Sequence, residues 1–246
     1  MDRRQFLTFF GTVGATVALA RPALTQSRLD ALPLGGSVSA VDYNVIPGAP
    51  RDQSAAFQAM LDRAAARGAA VFLPAGNYVI ADVSLPDGIV LTGVPGRSVL
   101  VLGAGRSILR AQGVQSIHLS NLLLDGGTAR NKIDALLVAR GVSDLQLTGC
   151  TVRRSPSDTI RLERCGGGIA ACTLTNVRRF GLFSIDGVDL EIVDNRVRDC
   201  ADGGIIVHRS SPGADGTRIT GNRITRVGAV SGGTGQWGNG INVYRT

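Results

Sequence analysis

The chain has 246 residues, a formal net charge of +7, 44% hydrophobic and 18% charged residues, a balance that excludes wholesale disorder and leaves length for one or two domains with a buried core. Aromatic residues make up only 4% while glycine reaches 33, so the core is expected to be narrow and built from Val, Ile, Leu and Ala. No run of about 18 apolar residues occurs, which excludes a polytopic membrane protein.

Residues 1–26 read as an address. Arg3 and Arg4 form a charged start, Phe6 to Ala20 a weak apolar run broken by Gly11 and Gly14, and Ala18-Leu19-Ala20 a small-x-small cleavage candidate. The run RRQFL resembles a twin-arginine export signal, with Asp2 where Ser or Thr is more usual; this implies the twin-arginine export machinery as partner and a periplasmic or secreted destination. Removing the segment takes away three Arg and one Asp and leaves a net charge of +5, with no transmembrane span in the mature chain.

Residues 27–109 are expected to hold an N-terminal cap and the first coils of a repeat. Asp52-Gln53-Ser54 caps a helix whose apolar face is Ala56, Phe57, Met60, Leu61, Ala64 and Ala65, and Gly68 ends it. VFLPAGNYVI then gives strand, turn and strand, followed by the strands IVLTG and SVLVLG.

From residue 110 to 246 the sequence repeats itself about every 23 residues. Cys150, Cys172, Asn195 and Asn222 form one column, with Leu147, Ile169, Ile192 and Ile219 three residues before it and Val152, Leu174, Val197 and Ile224 two residues after. An earlier copy fits with Leu119, Leu122 and Leu124. A second strand column pairs Leu136 with Val138, Ile160 with Leu162, Leu182 with Ser184, Ile205 with Val207, and Ile241 with Val243. Nothing long enough for a crossover helix separates these strands. The pattern predicts an all-β chain: a right-handed parallel β-helix, a single-stranded solenoid of five or six coils from about residue 110 onward, with an N-terminal capping helix. The sequence stops at GINVYRT inside a strand column, so a truncated C-terminus is expected.

DYNVIPGAPRDQSAAFQAML followed by FLPAGNYVI resembles the entrance cap of the pectin-lyase-like superfamily. Together with RRQFL and the repeats, the chain resembles twin-arginine-translocated β-helix repeat proteins, a family without an established activity. The resemblance implies a substrate groove along one exposed sheet face and, if the protein is an enzyme, a polysaccharide lyase or epimerase.

Alternation turns Leu137, Arg161, Phe183, Ile206 and Asn242 outward in one column and Ala139, Glu163, Ile185, His208 and Tyr244 in the next. Proton abstraction beside a uronate carboxylate needs a base, an acid and a cation. His208 is the candidate base, Tyr244 the acid and Arg161 or Arg209 the cation, with Glu163, Phe183, Arg209 and Asn242 as candidate substrate contacts; the bland alternative is a solvated sheet face. A hydrolase reading would use Asp158 and Asp202, two coils and about 10 Å apart, but the paired Asp-Asp, Gly-His-Gly and Arg-Ile-Lys signatures of polygalacturonases are absent.

Cys150 and Cys172 are read as buried stack residues, with Cys165 and Cys200 in different turns, and no Cys-x-x-Cys or His/Cys spacing points to a metal. Asn195 and Asn222 read as an asparagine ladder, and His118 as a surface residue on another face. Arg153, Arg154, Arg196, Arg198, Arg223 and Arg226 form a basic ridge that either attracts an acidic polysaccharide or is a solvated edge. No cofactor is evident, and the lack of aromatic interleaving argues against nucleic acid. Besides an enzyme, a non-catalytic glycan- or protein-binding β-helix and a cell-envelope accessory protein stay open.

Overall fold

The computed structural model describes residues 38–128, 132–232, 235 and 237–246; the expected export segment 1–26 lies outside them. The described chain is a right-handed parallel β-helix of three sheets. Coil 1 takes Val71–Leu73, Gly76–Ile80 and Val83–Ser84, and coil 2 takes Ile89–Gly93, Ser98–Leu102 and Leu109–Gln112. Coil 3 takes Ser116–Ser120, Leu123–Asp125 and Ala135–Arg140, and coil 4 takes Asp144–Thr148, Thr151–Ser155 and Asp158–Glu163. Coil 5 takes Gly167–Ala170, Thr173–Val177 and Phe180–Ile185, and coil 6 takes Leu190–Val193, Arg196–Cys200 and Gly203–His208. Coil 7 takes Arg218–Thr220, Arg223–Val227 and Asn239–Tyr244. The three strands of each coil fall in order on the first, second and third sheets, and every pairing is parallel to the coil before and after. Coils 3 to 7 therefore account for the five repeats beyond residue 110, and two more coils precede them.

The entrance is closed as the local sequence implies. Helix Ser54–Ala66 buries Phe57, Met60, Leu61 and Ala64 in the solenoid core, and the Ser54 N–H donates to Asp52 Oδ1 at 2.8 Å. Gly68, at φ +59°, ends it. Ser54 and Gln58 satisfy the edge of coil 1: Ala81 N–H donates to Ser54 Oγ, and Gln58 bonds both the N–H and the carbonyl of Ser84. In the Pro74-Ala75-Gly76 turn the buried Tyr78 hydroxyl donates to the Pro74 carbonyl at 2.9 Å. A Cβ on Gly76 would lie 2.4 Å from Pro47 Cβ, so only glycine lets the preceding segment pack on this turn.

Inside, like residues stack. Leu119, Leu147, Ile169, Ile192 and Ile219 are in register on the first sheet, as are Leu124, Val152, Leu174, Val197 and Ile224 on the second. At the bend between them the asparagine ladder is present. Asn195 Oδ1 accepts the Cys172 N–H (2.9 Å) and Asn222 Oδ1 the Asn195 N–H (2.9 Å), while Asn195 Nδ2 donates to the Ile169 carbonyl (2.8 Å). Cys150 and Cys172 continue that column as free, buried thiols, and burial pushes Cys200 up to about 12.

One register differs from expectation. On coil 3, Leu137 and Ala139 pair with the inward Ile160 and Leu162, so Val138 and Arg140 take the outward places assigned to Leu137 and Ala139, and Leu136 with Val138 is not the core pair. The run Leu136-Leu137-Val138-Ala139 is apolar at every position, so alternation cannot distinguish two registers one residue apart.

Asn195→Ala removes the acceptor for Cys172 N–H and the donor for the Ile169 carbonyl at a buried bend. It is expected to cost about 2 kcal/mol in urea unfolding without changing the β circular-dichroism spectrum.

Candidate functional site

The outward face of the third sheet carries two rows. One runs Arg110, Val138, Arg161, Phe183, Ile206, Asn242, and its neighbour runs Gln112, Arg140, Glu163, Ile185, His208, Tyr244. At the corner with the second sheet, coils 4 to 6 use two-residue connections, whereas coils 3 and 7 use the longer segments 126–134 and 228–238. Coils 4 to 7 make up one short stretch of the axis.

Within that stretch the side chains touch from coil to coil. The Arg161 guanidinium lies 4.7 Å from the Phe183 ring centre, Phe183 meets His208 edge-on at 5.5 Å, and His208 meets Tyr244 edge-on at 5.5 Å. Arg245 closes the series over Tyr244 at 5.1 Å. His208 Nε2 is 2.8 Å from Asn242 Oδ1. A carboxamide oxygen only accepts, so Nε2 carries the proton and Nδ1 of the neutral ring is left as an acceptor.

Five of the candidate residues, Arg161, Phe183, His208, Asn242 and Tyr244, thus share one ladder. Glu163 lies on the same face but is held by Arg140 (3.3 Å) and Arg164 (2.6 Å). Arg209 is not brought to the ladder: its guanidinium donates to the carbonyls of Ser211 and Ala214 and braces the connection to coil 7. Phe183 is only 8% exposed and Ile206 is buried, because Phe180 and Trp237 pack with them as a second apolar cluster outside the solenoid core. Phe180 stacks on Phe183 at 5.6 Å and on Trp237 at 5.4 Å. Trp237 escaped the sequence reading because it sits alone in a Gly-rich connection with no periodic pattern around it.

Two further groups join from the corner. Asp158 is fully buried yet faces the groove side: Arg161 donates to it at 3.2 Å, the Phe180 N–H at 3.3 Å, and Arg179 lies 3.9 Å away. Burial pushes its carboxyl above the ordinary range, with Arg179, the Phe180 N–H and Arg161 opposing. Simple alternation fails here, since Thr159 is buried and donates to the Gly181 carbonyl instead of pointing outward. Lys132, Arg140, Arg161 and Arg179, with Asp134, line an adjoining depression of about 480 Å³. Asp202 is not a partner for Asp158. Both its oxygens are engaged by Ser231, from the N–H at 2.8 Å and the hydroxyl at 2.7 Å, which fastens the segment bearing Trp237. His118 sits on the first sheet, 3.8 Å from Asp144. Among the described residues no cluster of three or more His, Cys, Asp or Glu could hold a metal ion, and no helix is long and apolar enough to cross a membrane.

Asn242→Asp places a carboxylate against His208 Nε2. It is expected to keep the Nε2–H tautomer in the imidazole nitrogen NMR spectrum, whereas Asn242→Ala removes the acceptor and mixes the two tautomers.

The family described as rhamnogalacturonase A/epimerase, pectate lyase-like, matches residues 37–245. Among solved structures, the A-module of mannuronan C-5 epimerase AlgE6 from Azotobacter vinelandii is similar at a TM-score of 0.62 and 19% identity, over 82% of this chain and 57% of that one. ORF18 of Geobacillus virus E2 is similar at 0.58 and 14% identity, over 76% and 40%. The catalytic unit of a thermostable α-1,3-glucanase from Streptomyces thermodiastaticus is similar at 0.55 and 18%, over 78% and 41%. The chain therefore spans about half the length of these three structures. No curated protein matches it.

Proposed function

From the premise that the chain belongs to the rhamnogalacturonase A/epimerase, pectate lyase-like family, we propose that it is an exported, carbohydrate-active β-helix protein acting on an acidic polysaccharide as a lyase or epimerase. The observation that carries this reading is the continuous ladder Arg161, Phe183, His208, Tyr244 on one sheet face, with Asn242 fixing the imidazole so that Nδ1 is free to accept a proton.

In this reading a uronate lies along the solenoid axis over the third sheet. His208 Nδ1 takes the C5 proton, and Arg161 neutralises the carboxylate as electron density moves into it. Tyr244 then protonates the C4 oxygen, completing elimination as the C4–O bond breaks and a C4=C5 double bond forms, or a solvent proton reaches C5 from the face turned away from the sheet and inverts the centre. Asp158 holds Arg161 from behind through an ion pair, so the guanidinium is positioned before substrate arrives. Phe183 supplies an apolar floor beneath the cation, and Trp237 with Phe180 walls one side.

The test is incubation of residues 27–246 with polygalacturonate, alginate and neutral dextran in deuterium oxide, after a β-type circular-dichroism spectrum has been recorded. Deuterium at C5 without chain scission identifies an epimerase, and ultraviolet-absorbing unsaturated ends identify a lyase. His208→Ala is expected to lower either signal at least 100-fold. Retention of an acidic polymer with neither signal would replace this reading with that of a non-catalytic glycan-binding β-helix.

A further inference from the structure

The second sheet carries a set of cations that the third-sheet site does not use. Arg153 and Arg198 occupy the same outward row in coils 4 and 6, with Thr175 between them. Arg196 and Arg223 stack directly on one another in coils 6 and 7, in the row that Thr151 and Thr173 occupy in coils 4 and 5. A third position, Arg154, Asn176, Asp199 and Arg226 in coils 4 to 7, has left-handed backbone with φ between 53 and 56° throughout.

Among the described residues, two carboxylates answer these six arginines. Asp125 is buried and receives Arg153 at 2.8 Å and two bonds from Arg154, each 2.6 Å. Burial would raise its carboxyl, but Arg154, the Gly127 N–H and Arg153 together hold it below the ordinary range. Asp199 receives Arg226 through two nitrogens and Arg198 at 3.2 Å. Arg154 and Arg226 are therefore fixed in orientation at residues whose backbone conformation side chains rarely adopt. Arg196 and Arg223 are exposed, and neither has an acidic side chain within salt-bridge distance among the described residues. Like charges directly opposite on neighbouring strands are destabilising, so the fold tolerates here an arrangement that stability alone disfavours.

We propose that this ridge is a second binding surface for an anionic polysaccharide, separate from the third-sheet site. It is a linear track parallel to the solenoid axis, with cations in coils 4, 6 and 7 and neutral hydrogen-bonding side chains, Thr173 and Asn176, in coil 5. A glycan presents that combination, carboxylates or sulfates interspersed with hydroxyls. The track lacks the aromatic and apolar side chains by which a basic face inserts into a lipid surface. Arg196 and Arg223 are the open positions that take the anion, and the clamped Arg154 and Arg226 set the direction of the track. A polymer held on the ridge stays near the third-sheet face after one encounter ends, which raises its effective concentration there.

The test measures retention of residues 27–246 on immobilised polygalacturonate, on neutral dextran and on phosphatidylglycerol vesicles across a salt series. The expected result is retention on polygalacturonate alone, lost on moving from low to high salt as exposed charge contacts are screened. Arg196→Ser/Arg223→Ser should weaken it at least tenfold with a thermal midpoint equal to or above that of the parent chain, and Arg196→Lys/Arg223→Lys should restore most of it. His208→Ala should leave it intact, which separates this surface from the proposed catalytic one. Full retention by the serine double variant, loss in His208→Ala, equal retention on dextran, or preferential binding to the vesicles would each overturn the proposal.

Discussion

In-register parallel stacking is the constraint on which everything else depends. Each coil lies on the next at about 4.8 Å, so a side chain at a given position meets the same position of its neighbours and little else. Inside, that rule turns ordinary Leu, Ile and Val into continuous columns and makes each asparagine valuable, because its side chain satisfies the bend of the coil before it while the next asparagine satisfies its own N–H. Outside, the same rule builds ladders. Arg161, Phe183, His208 and Tyr244 are 83 residues apart from first to last in sequence numbering, yet successive members are in contact because they occupy adjacent outward places on coils 4 to 7.

Charge is handled by the corners. Where the second sheet turns into the third, Asp158 and Asp202 are both buried, but they serve different ends. Asp202 is satisfied by Ser231 and fastens a connection, whereas Asp158 faces Arg161 and Arg179 and holds cations toward the groove. A buried carboxylate is costly unless paired, so each position commits the surrounding chain to a definite arrangement. The connection fastened by Asp202 carries Trp237 onto Phe180, which is how an exterior sheet face comes to hold buried aromatic rings.

The fold was legible because repetition multiplies a weak signal. One Leu-x-x-Cys-x-Val segment means little, but four copies with Asn replacing Cys at the same bend define strand, bend and strand together. The third-sheet rows were legible for coils 4 to 7 because the spacing from the bend column fixes their register, even where the outward Phe183, Ile185 and Ile206 break the polar alternation. They were misplaced by one residue on coil 3, where Leu136 to Ala139 offers no contrast. The corner was not legible. Alternation fails at Thr159, so the pairing of the buried Asp158 with Arg161, the approach of Arg179 and the capping role of Trp237 depend on local turns and long connections that no period describes. Arg209 shows the converse: a cation next to the candidate base in sequence is drawn away by carbonyls of its own loop.

If an acidic glycan is processed on the third sheet as proposed, Arg161 meets a carboxylate and His208 the adjacent ring carbon. The most direct measurement is a crystal structure of the chain soaked with a short oligouronate, using His208→Ala if turnover destroys the ligand. The account predicts a sugar lying along the axis over coils 4 to 7, its carboxylate hydrogen-bonded to Arg161 and its C5 facing the space vacated by the imidazole. A sugar bound on the first sheet, or one on the third sheet whose carboxylate points away from Arg161, would contradict it.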